Sequence, residues 1–173
     1  MVQCVKRTRV NQGLSMDEAN ARGKAAIYRA AHVGDAAALT DIFLTAIESS
    51  VPGLPLAHTR DEIATWFETK QILQATVTVA EVMGAPAGFI ATGGGWVHQL
   101  FVLPERHGEG LGTSLLTPVL AGSKSPVRLW AFQRNRQARQ FYERRGFSAE
   151  LFTEGSDNEE RTPDVMYVWR PRR

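Results

Sequence analysis

The sequence predicts an α/β fold, in detail an α+β arrangement with one mixed sheet covered by helices. Apolar residues recur with a strand or a helical period in segments ordered β-α-α-β-β-β-α-β-α-β-β. Consecutive strands in that order can pair as hairpins, whereas strands separated by a helix require crossovers, so antiparallel and parallel pairs must coexist. At 173 residues and 43% apolar content, the chain has one domain's length and enough apolar surface for a sizeable core.

Residues 1–25 are polar and aperiodic and contain Gly13, Asn20 and Gly23, so they read as a flexible arm ahead of a single domain over 26–173. A short strand over 26–30 precedes Gly34-Asp35, a capping pair. Ala38, Leu39, Ile42, Phe43, Ala46 and Ile47 follow at helical spacing until 49–55 break the helix. Thr59-Arg60-Asp61-Glu62 forms a capping box, in which the threonine hydroxyl and the glutamate each satisfy a free backbone amide, so a second helix begins there. Ile63, Trp66 and Phe67 fall on one face of it, which assigns Trp66 to the core in preference to a ligand platform. Strand-like 75–82, the turn Met83-Gly84-Ala85-Pro86 and strand-like 87–92 make a hairpin. A strand over 96–102 comes next, then a helix face marked by Leu111, Leu115, Leu116, Val119 and Leu120. A strand over 127–132, a helix over 135–145 and a strand over 147–152 follow, with an acidic loop over 153–164 and a closing strand over 165–170.

Several function classes are excluded. No apolar run reaches the roughly 18–20 residues that span a bilayer, and no apolar leader is visible, so a soluble, cytoplasmic protein without membrane attachment is expected. Cys4 is the one cysteine, which rules out an internal disulfide and a cysteine metal cage. His32, His58, His98 and His107 lack the spacing of H-E-x-x-H, so no metal is expected, and no G-x-S-x-G elbow of a serine hydrolase occurs. The net charge of +2 divides into +3 over residues 1–26 and −1 over the rest, which argues against a nucleic-acid-binding surface across the domain.

The chemistry concentrates in Leu100-Phe101-Val102-Leu103-Pro104 followed by His107-Gly108-Glu109-Gly110-Leu111-Gly112, a strand passing through a glycine-dense turn into an apolar helix. Glycines let backbone approach a ligand closely, and the free amides and positive dipole end at a helix start favour an anion; a diphosphate suits both. A tight turn with no ligand would also account for the glycines. No lysine follows Gly112, which excludes a Walker P-loop, and the G-x-G-x-G spacing is not the G-x-G-x-x-G of a dinucleotide fingerprint. Downstream, Leu129-Trp130-Ala131-Phe132-Gln133-Arg134-Asn135 leads to Ala138, Phe141, Tyr142, Gly146 and Phe147. Asn135 suits a helix cap, Ala138 and Phe141 a sheet-facing stripe, and Gly146 the left-handed residue that ends a helix.

Together these segments, over residues 96–147, resemble the cofactor-binding core of the GNAT N-acetyltransferases. The first matches a strand ending in L-(Y/F)-V-x-P and the glycine turn after it; the second matches L-x-V-x-x-x-N-x-x-A-x-x-x-Y-x-x-x-G-F. His107 departs from the family's Gln or Arg, which predicts weaker or pH-dependent cofactor binding, by about 1 kcal/mol for one lost side-chain contact. The resemblance implies a mixed, mostly antiparallel sheet of six to seven strands flanked by about four helices. It further implies acetyl-CoA as cosubstrate, no metal, and direct acetyl transfer in a ternary complex to a primary amine of a small molecule or protein.

By the same resemblance, Leu100, Phe101, Val102, His107, Gly108, Glu109, Gly110, Leu111, Gly112, Thr113, Asn135, Arg139 and Tyr142 would contact the cofactor. The pantetheine arm would lie where the strand of Leu100 parts from that of Trp130, with backbone amides near Phe101 and Val102 on the thioester oxygen. Tyr142 would protonate the departing thiolate, the alternative being a packed amphipathic tyrosine. Arg134, Arg136, Arg139, Arg144 and Arg145 make either a solvated face or, through Arg136 or Arg139, a contact to the cofactor's ribose phosphate.

Amine attack needs a neutral nucleophile, so a proton must leave. His98, two residues before Leu100 and so read onto the same strand face, resembles a histidine of some aralkylamine acetyltransferases and is the candidate base, directly or through water; a structural or merely exposed histidine is equally consistent. The acceptor would sit among 49–58, the start of the second helix, and Asp157 to Glu160. The competing readings are a non-catalytic acetyl-CoA-sensing module and a toxin-like acetylase of charged tRNA, the latter disfavoured by the near-neutral core. A homodimer is left open.

Overall fold

The computed structural model describes residues 25–171, so nearly all of the arm read over 1–25, Cys4 included, lies outside the described residues. Within them the chain forms β1 (Ile27–Ala30), α1 (Ala36–Ser50), α2 (Arg60–Trp66), β2 (Thr76–Val82), β3 (Ala85–Gly93), β4 (Trp96–Val102), α3 (Leu111–Gly122), β5 (Val127–Phe132), α4 (Arg136–Glu143), β6 (Ser148–Phe152) and β7 (Asp164–Trp169). The order matches the expected one, and the boundaries differ by a residue or two. None of the described helices is long and apolar enough to cross a membrane.

All seven strands join one sheet in the order β1-β2-β3-β4-β5-β7-β6. Every neighbouring pair is antiparallel except β4 with β5, which is parallel. The β2–β3 hairpin turns at Met83 and Gly84, whose φ angles of 54° and 78° give the twist that a two-residue connection needs.

One apolar layer, on α3 and α4, contains Ile90, Leu111, Leu115, Leu116, Leu129, Tyr142, Phe147 and Tyr167. The other, under α1 and α2, contains Leu39, Ile42, Ile63, Phe67, Val79 and Phe89. The alternating strands of the centre feed both layers, as in β3, where Ile90 enters the first and Phe89 the second.

Three local expectations are corrected. Asp35 does not cap α1 through its side chain. Its carboxylate turns back to Arg29, accepting from Nη1 at 2.8 Å and Nη2 at 2.9 Å, and from the His32 amide at 2.9 Å. Trp66 is not core: it is 39% exposed, because the buried face of its helix takes Ile63, Phe67 and Gln71 at steps of four, leaving position 66 on the flank. A wide π turn over Phe67–Gln71 continues α2 and carries that stripe onward. The simple alternation read for β4 fails at His98: Ala91 pairs with Gln99 and Thr92 with Val97, so His98 is the extra residue of a β-bulge. The capping box at the start of α2 forms as expected, with the Thr59 amide donating to Glu62 Oε2 at 2.7 Å.

Candidate functional site

The β4–β5 junction is incomplete. Its parallel ladder contains the single pair Trp96 with Arg128, and beyond it no further register pair joins the two strands. On the other side of β4, the Leu103 amide donates to Ala87 O at 2.9 Å. Polar groups alternate along an antiparallel strand, so Phe101 also faces β3, while the N–H and C=O of Leu100 and Val102 face the gap. Of the two amides expected near the thioester, Val102 is therefore available and Phe101 belongs to the ladder.

A cavity of about 490 Å³ opens from this gap across the glycine turn. Gly108 and Gly110 adopt φ of 85° and 83°, and Gly110 stands at the N-cap of α3, aiming the first amides of that helix outward. Leu100, Phe101, Val102, His107, Gly108, Gly110, Leu111, Gly112, Thr113, Asn135 and Tyr142 all line it. Gly112 serves packing: a Cβ there would lie 3.3 Å from the Phe141 ring, which sets how closely α3 approaches α4.

Two expected cofactor residues do not line the cavity. Glu109 pairs with Arg106 at 3.4 Å on the outer side of the turn. Arg139 points under α4 toward β7, where Nε donates to Tyr167 Oη at 3.1 Å and Nη1 to Gln133 O at 3.1 Å. Tyr167 Oη in turn donates to Glu143 at 2.6 Å, so positions 139 and 143, one turn apart, make a stripe that holds the helix to the sheet. The basic residues lining the cavity are Arg106, Arg144 and Arg145. Arg145 lies over the Phe141 ring, its Cζ 3.5 Å from the centroid, donates to Phe141 O at 2.8 Å and reaches the Thr113 hydroxyl. Burial, and next the neighbouring Arg144 charge, push its pKa below the usual guanidinium value.

His107 closes the turn against the strand. Its Nε2 lies 3.0 Å from Val102 O, an acceptor, so that nitrogen carries the proton. Its Nδ1 lies 3.1 Å from the Gln137 side-chain nitrogen, a donor, so these two contacts suit the Nε2–H tautomer. Gln137 was not singled out in the sequence; it stands four residues before Phe141 and eight before Arg145, on one helical stripe that could have pointed to it.

Asn135 caps α4, its Oδ1 accepting from the Ala138 amide at 3.0 Å. Tyr142 is buried, and that burial raises its phenol pKa above the ordinary value of 10.0, against a smaller lowering by Arg145. It lines both the first cavity and a second of about 580 Å³ on the other side of the gap. That second cavity also takes in exposed His98, Gln99, Trp130, Asp157 and Glu160. A third, of about 840 Å³, shares Gln99 and Glu160 with it and is walled by Phe43, Leu56, Ile63 and Trp66. His58 contacts Glu159 at 3.2 Å, joining the loop before α2 to the acidic segment.

The same architecture recurs in solved structures. YjaB of Escherichia coli superposes with a TM-score of 0.69 at 21% identity, over 84% of this chain and 97% of that one. Salmonella typhimurium yncA, solved with its cofactor acetyl-CoA, superposes with a TM-score of 0.66 at 19% identity, over 86% and 95%. An uncharacterised N-acetyltransferase of Methanocaldococcus jannaschii is 33% identical over 92 residues, 44% of this chain but 41% of that relative, so the match spans less than half of its length. The family model of the acetyltransferase (GNAT) domain matches residues 74–149, from the end of the second helical segment to the start of β6. Over that stretch, which is less than half of the chain, the sequence is similar to the GNAT acetyltransferase domain, and the fold as a whole is that of the solved structures above.

Proposed function

We propose that the protein transfers the acetyl group of acetyl-CoA to a primary amine by direct attack in a ternary complex. The single observation that carries this reading is the gap between β4 and β5. It leaves the Leu100 and Val102 backbone groups without strand partners between a cavity that ends in an anion-type turn and a second cavity that opens opposite. The residues present fit a pantetheine diphosphate. The left-handed Gly108 and Gly110 and the start of α3 offer amides to the diphosphate, Arg144 and Arg145 lie in the same cavity for further phosphate, and the gap accepts an extended arm as a strand would be accepted.

Bound acetyl-CoA supplies an activated thioester carbonyl. The Val102 amide donates to its oxygen, where negative charge grows during attack. The amine nitrogen forms a bond to the carbonyl carbon as the carbon–sulfur bond breaks; one proton leaves the nitrogen, and the sulfur departs with the bonding electron pair as the thiolate, which takes its proton from water on release. His98, beside the gap in the second cavity, takes the proton from the amine directly or through water. Tyr142, shared by both cavities, donates a hydrogen bond to the departing sulfur. Because burial lifts its pKa above 10.0, whereas a free thiol titrates near 8.5, the phenol is the weaker acid, so it stabilises the thiolate without giving up its proton outright.

The test is thiol release from acetyl-CoA with a panel of primary amines, alongside calorimetry with acetyl-CoA and free coenzyme. Amine-dependent release and a measurable heat with both ligands are expected. No heat with either, on folded protein, would overturn the reading.

A further inference from the structure

The third cavity has a composition that selects among amines. Its walls are apolar and aromatic, from Phe43, Leu56, Ile63 and the exposed flank of Trp66, while its charged lining is Asp61, Glu62, Glu159 and Glu160 against Lys70. Two of those carboxylates are engaged: Glu62 in the capping box and Glu159 with His58. Asp61 and the half-buried Glu160 make no side-chain hydrogen bond or ion pair among the described residues.

The neck toward the reaction gap is formed by Gln99 and Glu160, the residues common to the second and third cavities. Gln99 Oε1 is buried and has no hydrogen-bond partner among the described residues. An orphaned carbonyl oxygen in a buried position calls for a donor, and beside an unpaired carboxylate the donor that satisfies both is a cationic N–H. The bulge at His98 places Gln99 there, because it resets the alternation of β4 one residue before it.

We propose that the acceptor is a linear di- or polyamine. Its reacting amino group enters the β4–β5 gap, its methylene chain lies along Leu56, Ile63 and Trp66, and a further ammonium is held between the Gln99–Glu160 neck and Asp61. This rests on the acetyl-transfer reading and adds the substrate class to it. A neutral alkylamine would leave Gln99 Oε1, Glu160 and Asp61 unmatched, and an amine with a distal carboxylate would meet like charge.

The test uses acetyl-CoA with pentylamine, 1,5-diaminopentane and 5-aminopentanoic acid, which share a reacting amine and differ in the charge at the far end. The expected order of kcat/KM is diamine, then alkylamine, then amino acid, with the diamine ahead by about five-fold or more and the ratio shrinking as salt is raised. In Glu160→Gln and Asp61→Asn the diamine-to-alkylamine ratio should fall several-fold. Equal turnover of diamine and alkylamine by the unaltered protein overturns the inference and leaves acetyl transfer intact. No turnover of any amine, with coenzyme still bound, overturns both. Acetylation of protein lysines with none of the diamine likewise overturns it, in favour of a macromolecular acceptor.

Discussion

Gly110 and Gly84 form a matched pair that separates what the glycine turn does for the fold from what it does for a ligand. Both are left-handed, at φ of 83° and 78°, and a Cβ built at either meets no atom within 4 Å. An alanine at either site therefore meets only the conformational penalty, about 1–2 kcal/mol. For a domain of this size that lowers Tm by about 2–8 °C in each variant. The positions differ in what the open space is: beside Gly84 it is the outside of a hairpin, whereas beside Gly110 it is the cavity at the start of α3.

If that cavity holds a diphosphate, a methyl group there pushes the anion off the α3 amides. Each weakened hydrogen bond to a charged group is worth about 1.5–3 kcal/mol, which corresponds to a loss of about 10–100-fold in affinity. Calorimetric titration with coenzyme A should thus give a wild-type Kd for Gly84→Ala and a Kd at least about ten-fold weaker for Gly110→Ala, despite similar Tm values. Wild-type affinity in Gly110→Ala, at equal destabilisation, would refute the placement of the diphosphate on this turn.

Three further outcomes are expected. Tyr142→Phe should lower kcat by about 10²-fold while leaving coenzyme affinity within a few-fold, measured by thiol release and calorimetry; unchanged kcat would remove the donor role. His98→Gln should alter the shape of the pH–rate profile of kcat/KM, and a superimposable profile would remove it as base. Asp35→Ala should destabilise the fold by about 2 kcal/mol at pH 7 in urea titration, the retained Glu81 contact to Arg29 moderating the loss. The hydrogen bonds from Arg29 hold the Asp35 pKa below its ordinary 3.8 despite burial, so its contribution is present above that value and is lost as pH falls through the lower folded one. The difference between wild type and Asp35→Ala should consequently narrow only below about pH 4.

Local features were legible where local chemistry decides them. The capping box at Thr59, the cap at Asn135 and the Met83-Gly84 turn each depend on residues within four positions of one another. Helix α3 was legible despite Pro118 in its interior, because Leu111, Leu115 and Leu116 bury a face that outweighs one missing backbone donor. The features that escaped depend on partners far along the chain. The bulge at His98 exists only in the register of β3 against β4, and the orientation of Arg139 is set by Tyr167, 28 residues away. Trp66 reached the wrong side because its spacing from Ile63 fits a helical face in general, whereas the face this core uses advances in steps of four.

The gap that makes the candidate site is also a defect in the sheet, and the way the chain manages that defect bears on the histidine in its glycine turn. Central strands ordinarily match every backbone donor and acceptor, yet past Trp96 the outer edge of β4 faces no strand. Of the groups left there, Val102 O is satisfied by His107 Nε2, and the contact to Gln137 suits the tautomer that allows it. The Val102 amide keeps its donor free. A side chain that capped the amide instead would repair the sheet and block the place where a thioester oxygen would be received. His107 repairs the carbonyl alone, so the residue that departs from the Gln or Arg of the resembled signature holds the strand end in place while leaving the donor that acetyl transfer would use.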